Sequence, residues 1–141
     1  MTAEGLGTFS RAARRRLPRV FVALLVAALL AGAAEGSGRR VRFRRGQTKA
    51  RVAGRLGGAR DAAVFVARAR RGQRMRVTVV RSAGPVRCVV GSPSGDEQGQ
   101  PGTGTVFDEV LGETGLYRVR VTESPMGEPW RGPFLIEIEI K

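Results

Sequence analysis

The sequence predicts an all-β fold, an antiparallel sandwich or barrel of about eight short strands, behind an N-terminal signal peptide helix. Three observations predict it. Beyond Gly38 the apolar residues mostly alternate with polar ones, the period-two pattern of strands with one buried face. Gly, Pro and Ser punctuate this region at short intervals, which leaves no convincing helix. Ahead of it, Arg14, Arg15, Arg16 and Arg19 precede an unbroken apolar run from Val20 to Ala34.

A charged start, an apolar run of about fifteen residues and the small-residue end Ala31-Gly32-Ala33-Ala34 form the pattern of a secretory signal peptide. A membrane span needs roughly 20 apolar residues, more than this run supplies. Residues 1–34 are therefore expected to be the leader, 35–40 a linker and 41–141 the folded domain. That places the domain in the periplasm or outside the cell. It meets a membrane only during export, or if the leader stays as an anchor. Leu30-Ala31-Gly32-Ala33 is like a lipoprotein processing run, but Ala33 stands where a lipidated Cys is needed. Arg14-Arg15-Arg16-Leu17 also allows twin-arginine export.

The strands follow in order. Val41 and Phe43 alternate with Arg40, Arg42 and Arg44. Lys49 to Leu56 is a second strand, with Gly54 as a candidate bulge. Gly57-Gly58 turns the chain. In Ala62 to Ala69 the alanines suit a helix, but Val64, Phe65 and Val66 and the shortness of the run favour a strand. After the turn Arg71-Gly72-Gln73, residues Met75, Val77 and Val79 alternate with Arg74, Arg76 and Thr78. Val86, Cys88 and Val90 face inward opposite Arg87. Ser92-Pro93-Ser94-Gly95-Asp96 is a tight turn, and the polar, Gly-rich run to Gly104 reads as a mobile loop. Thr105 to Val110 is a less regular strand. Tyr117, Val119 and Val121 alternate with Arg118, Arg120 and Thr122. Glu123 to Gly132 is a loop holding the only Trp, Trp130. The last strand points Ile136, Ile138 and Ile140 inward and Glu137 and Glu139 outward. If the last two strands form a hairpin, Arg118 and Arg120 meet Glu137 and Glu139 on one exposed face.

Charge is segregated along the chain, which carries a net +13. Arg39 to Arg87 holds sixteen Lys or Arg against one acid, Asp61, whereas Cys88 to Lys141 holds four against nine acids. A basic surface attracts anionic partners and is screened by salt. Behind an export signal those partners are envelope polymers or lipids, not nucleic acid. The ratio of 23 Arg to 2 Lys also fits plain solvated strand faces in an Arg-rich proteome.

The chain has no His and one Cys. His-based acid–base, nucleophilic and metal chemistry is thereby excluded, and no internal disulfide can form. Cys88 lacks an activating partner and reads as a small core residue. Glu137 and Glu139 share one face of a short strand, and Asp108 and Glu109 point to opposite faces, which suits no glycosidase pair. Asp61, Asp96 and Glu97 lack the dense alternating acids of a calcium loop and read as turn and surface residues. The expectation is a protein that is not an enzyme and holds no cofactor or metal.

Several motifs in sequence carry a family resemblance. Asp61 to Phe65 leads into Ala69-Arg70-Arg71-Gly72-Gln73 and the strand at Met75. Ser92-Pro93-Ser94-Gly95 and Leu111-Gly112-Glu113-Thr114-Gly115-Leu116-Tyr117 follow. In this order they resemble the bacterial pre-peptidase C-terminal-like domain and, more closely, secreted proteins related to inhibitors of g-type lysozyme. The resemblance spans Val41 to Ile140. It implies a Greek-key β-sandwich in which Phe65, Gly72, Gln73, Leu111 and Tyr117 are structural. Gly72 supplies a positive-φ turn position, and Leu111 with Tyr117 matches a tyrosine corner. Leu116 departs from the family's usual polar residue there.

Three functions are compatible with these features. The first is inhibition of a lytic muramidase by loop insertion into its cleft. Clustered arginines would then face catalytic carboxylates, or the acidic half around Asp108 to Glu123 would dock on a basic enzyme. The second is a structural or adhesive envelope module that binds anionic glycans or lipids through Arg39 to Arg45 and Arg68 to Arg76. Its candidate binding residues are Arg42, Arg44, Arg45, Arg70, Arg71, Arg74 and Arg76. The third is an accessory domain held at the membrane by an uncleaved leader.

Overall fold

Alternation of apolar and charged residues produces most strands of the computed structural model, which describes residues 38–141. The expected leader lies outside these residues. The strands are β1 (Arg39–Arg40), β2 (Lys49–Leu56), β3 (Ala62–Ala69), β4 (Arg74–Ser82), β5 (Val86–Gly91), β6 (Glu97–Pro101), β7 (Gly104–Val110), β8 (Gly115–Glu123) and β9 (Gly132–Ile140). They form two sheets, a five-stranded one in the order β1-β3-β8-β5-β6 and a four-stranded one in the order β2-β9-β4-β7. The result is an all-β sandwich.

Burial follows the alternation most closely in β4 and β8. Met75, Val77 and Val79 are buried while Arg74 and Arg76 are exposed. Val86 and Cys88 are buried around exposed Arg87. Tyr117, Val119 and Val121 face Ile136, Ile138, Ile140 and Phe134 across the core. Each such aliphatic side chain contributes about 1.5–3 kcal/mol on burial. Phe65 meets Phe134 edge to face, with ring centroids 6.1 Å apart.

Only β5 and β6 are sequence neighbours within one sheet among the described residues; every other connection crosses between sheets. This corrects the expected β8–β9 hairpin. β8 lies between β3 and β5, and β9 lies between β2 and β4. Arg120 instead pairs with Glu97 of β6 at 2.9 Å, and Glu137 pairs with Arg51 of β2 at 3.0 Å.

Four further expectations change. The run from Asp96 to Gly104 is largely not a loop: Glu97–Pro101 adds to β5 as an edge strand. Its side chains are mostly exposed, so backbone hydrogen bonds and not a buried face hold it. Gly99 makes the approach possible, because a Cβ there would lie 2.1 Å from the Cys88 carbonyl oxygen. The first strand is Arg39–Arg40, parallel to β3, and not Val41 to Phe43. Val41 only extends that pairing, donating its N–H to Val66 O at 2.8 Å. Gly54 marks no bulge, since β2 and β9 pair in continuous register from Lys49 to Leu56. It leaves room for the Phe134 ring, whose Cζ would be 2.2 Å from an added Cβ. Finally, Glu139 sits on the outer face as expected but is only 5% exposed, because cations from both flanking strands and Lys141 cover it.

Candidate functional site

Strand directions decide which turns share an end of the sandwich. β1, β3 and β5 run together and β8 runs against them. β2 and β4 start where β7 and β9 finish. One end therefore collects the connection from Val41 to Thr48 and the turns at 70–73, 92–96 and 111–114. Hydrogen bonds join them in a row. Thr48 O accepts from Ile140 N, and Arg74 and Lys141 exchange backbone bonds of 2.9 and 3.0 Å. Gly72 N donates to Leu111 O at 2.8 Å, and Leu111 N to Gln73 O at 2.7 Å. Arg71 N donates to Thr114 Oγ1 at 2.9 Å, and Ser94 N and Oγ donate to the Glu113 carboxylate at 3.0 and 2.6 Å.

The residues assigned structural roles hold this end together. Gly72 has φ +88, which suits the third position of a type II turn. Gln73 Oε1 accepts from Arg70 N at 2.8 Å. Leu111 is buried and Tyr117 is 3% exposed. The Tyr117 hydroxyl donates to Glu113 O at 2.8 Å, four residues upstream, the bond of a tyrosine corner. Phe65 anchors the core beneath, with the Arg39 guanidinium 5.2 Å from its ring centre.

The seven arginines singled out as a binding surface fall into two groups. Arg74 and Arg76 lie on the outer face of the four-stranded sheet and are bound to Asp108 at 2.7 and 2.9 Å. They belong to a ladder of ion pairs running from Arg51 through Glu137, Lys49, Glu139 and Arg76 to Asp108. Hydrogen bonds from Arg74 and Arg76 hold the Asp108 carboxyl down at about 2. Lys141, 2.8 Å from Glu139, together with Lys49 and Arg76, holds the Glu139 carboxyl below its ordinary value. The other five, Arg42, Arg44, Arg45, Arg70 and Arg71, are exposed. No carboxylate among the described residues lies within ion-pair distance of any of them.

One signal in the sequence lies in the turns and not in the strands. The tetrapeptide Arg-Arg-Gly-Gln occurs twice, at Arg44 to Gln47 and Arg70 to Gln73. Both copies form the same turn. Gln47 N donates to Arg44 O at 2.9 Å and Gln73 N to Arg70 O at 3.1 Å, with φ +76 at Gly46 and +88 at Gly72. Beside the first copy, Arg42, Arg44, Gln47, Lys49 and Arg51 line a recess of about 350 Å³ that also reaches Glu137.

The same end is acidic at its opposite edge. A cleft of about 240 Å³ opens between β6 and β7, with Phe107, Leu111 and Tyr117 in its apolar lining and Asp96, Glu109 and Glu113 among its acids. Elsewhere, acids serve the fold. Asp61 Oδ2 and Oδ1 accept from Gly57 N at 2.7 Å and Ala62 N at 2.9 Å, closing the turn between β2 and β3. Glu123 accepts from Trp130 N at 2.9 Å, and Trp130 Nε1 donates to Pro85 O at 2.8 Å at the far end of the sandwich. Cys88 is fully buried, and burial pushes its thiol up to about 12, so it is no nucleophile at neutral pH.

No protein-family model matches the chain, and no curated protein matches it by sequence. Solved structures do match. PliG of Aeromonas hydrophila, a periplasmic lysozyme inhibitor of g-type lysozyme, superposes with a TM-score of 0.63 at 20% identity, over 74% of this chain and 96% of its own. PliG of Salmonella Typhimurium, described in the same words, gives 0.58 at 20% identity over 75% and 99%. A PliG mutant from Escherichia coli gives 0.54 at 18% identity over 74% and 100%. At this identity the likeness is one of fold: the chain is a β-sandwich similar to the PliG inhibitors of g-type lysozyme.

Proposed function

We propose that this protein is an exported, non-enzymatic binding module that inhibits a g-type lysozyme. The observation that carries the reading is the likeness of its sandwich to three PliG inhibitors over nearly their full lengths. The run from Arg14 to Ala34 supports export. The absence of His, the inert Cys88 and the capture of Asp108, Glu137 and Glu139 in ion pairs support a role without catalysis.

The contact is assigned to the acidic side of the turn end, around the cleft between β6 and β7. Asp96, Glu109 and Glu113 supply negative charge there, and complementary charge speeds encounter with a basic enzyme. Turns fastened by the Tyr117, Leu111 and Glu113 bonds are pre-organised, which lowers the ordering cost of binding. The test is muramidase activity of a g-type lysozyme titrated with the purified protein. Inhibition between nanomolar and micromolar concentrations is expected. Full activity at tens of micromolar, with the protein shown to be folded by circular dichroism, overturns the reading.

A further inference from the structure

The acidic side leaves the twin Arg-Arg-Gly-Gln turns unused, and their chemistry is different. We infer that these turns form a docking site for a linear polyanion bearing closely spaced phosphates, beside the acidic surface that meets the lysozyme and made of different side chains. Four observations carry this. The two turns are identical in sequence and share the same closing backbone bond and positive-φ Gly. They stand at one end of the sandwich, over β2 and β4, the two neighbours of β9. Two interstrand spacings put them roughly 10 Å apart. Arg42, Arg44, Arg45, Arg70 and Arg71 have no carboxylate partner among the described residues, although Asp108, Glu137 and Glu139 take up the cations beside them. The 350 Å³ recess beside the first turn gives the site a concave wall.

Phosphate is the favoured group for a chemical reason. Each guanidinium is a rigid fork that binds two oxygens at once. A carboxylate can itself be shared by two forks, as Asp108 is by Arg74 and Arg76, so closeness of charge along the chain decides: a phosphate polymer carries one charge per phosphate, a uronate polymer one per whole sugar ring. A phosphate in a polymer exposes oxygens to more than one fork, so the paired arginines of each turn can share it. Two turns a fixed distance apart then require phosphates several repeats apart on one strand, and a free phosphate ion spans only one of them.

The experiment measures binding of the whole protein to inorganic polyphosphate across a salt series, without any lysozyme present. Its result is therefore independent of the inhibitor reading. Each neutralised phosphate adds about 0.7 to the slope of log affinity against log salt for a flexible strand. Five contacts give a slope near −3.5, roughly a hundredfold loss between 50 and 200 mM salt. The variant R44Q/R45Q/R70Q/R71Q is expected to reduce the slope to about −0.7. A variant with the same change in net charge at the far end, R55Q/R60Q/R87Q/R131Q, keeps slope and affinity. R44K/R45K/R70K/R71K keeps the slope but binds several-fold more weakly, because an ammonium is no fork. Circular dichroism checks that each variant is folded. Equal losses in the turn and far-end variants overturn the inference in favour of diffuse net charge. Equal or tighter binding to polygalacturonate, or to phosphatidylglycerol vesicles, overturns the phosphate polymer as the occupant.

Discussion

Replacing Gly54 with Ala tests the packing of the sandwich at its least forgiving point. Gly54 lies opposite Phe134 in the β2–β9 register, and the Phe134 ring folds back over it. An added Cβ would stand 2.2 Å from Cζ, 2.7 Å from Cε1 and 2.9 Å from Cε2. Carbon atoms at rest sit about 3.5–4.0 Å apart, so the ring must move by more than about 1 Å. It has nowhere to go: Phe134 is 2% exposed and wedged against Phe65 with the ring planes at 78°. Overpacking of this kind costs about 1–3 kcal/mol. Loss of the edge-to-face contact adds about 0.5–1.5 kcal/mol if the rings separate. For a domain of this size each kcal/mol lowers Tm by about 4–8 °C. Thermal melting of G54A, F134L and the double variant, followed by circular dichroism, is the assay. G54A melts at least about 4 °C below the parent, and the same substitution costs much less once Phe134 is Leu, giving a coupling of about 0.5–3 kcal/mol. An unchanged Tm for G54A, or strict additivity with F134L, refutes the ring-slot explanation.

The remaining predictions concern single groups. Asp108 has its folded value depressed to about 2 by Arg74 and Arg76, so its contribution is present above the unfolded value of about 4 and is lost as pH falls from there to about 2; D108N is less stable at pH 7, and urea titrations show its gap to the parent closing over that window. A gap constant down to pH 2 contradicts the assignment. With Cys88 fully buried and its thiol pushed up to about 12, thiol labelling at pH 7 follows global unfolding and speeds up with denaturant, whereas rapid labelling of native protein contradicts the burial. Y117F removes the hydroxyl that binds Glu113 O at 2.8 Å and costs about 1 kcal/mol in chemical denaturation; a neutral result means the tyrosine corner is held by the ring alone.

Much of this architecture was legible in the alternation. Val86, Cys88 and Val90, like Ile136, Ile138 and Ile140, read as inward-facing from spacing alone, because a strand with one buried face has only one register that hides them. Three things were not legible, each for a physical reason. β6 has no apolar stripe, since an edge strand held by backbone bonds needs none, and Gly99 signals a close approach only when its neighbour is known. The placement of β8 and β9 in different sheets follows from crossovers that local sequence does not encode. The burial of Glu139 depends on Lys49, Arg76 and Lys141 from three separate places in the chain.

The turn end was partly legible. Tyr117, Leu111, Gly72 and Gln73 were identified by motif, and the structure gives each a bond or a buried position there. The division of the arginines was not, because what takes up Arg74 and Arg76 but not Arg70 and Arg71 is Asp108 and, for Arg76, Glu139, both more than thirty residues away. The repeat of Arg-Arg-Gly-Gln was present in the sequence throughout. It gains meaning once both copies are seen to form one turn at one end of the fold.

Titration of a g-type lysozyme with the purified protein tests the central claim most directly. Saturable loss of muramidase activity below micromolar concentration is expected, weakened when Glu109 and Glu113 are replaced by Gln. Undiminished activity at tens of micromolar of folded protein contradicts it.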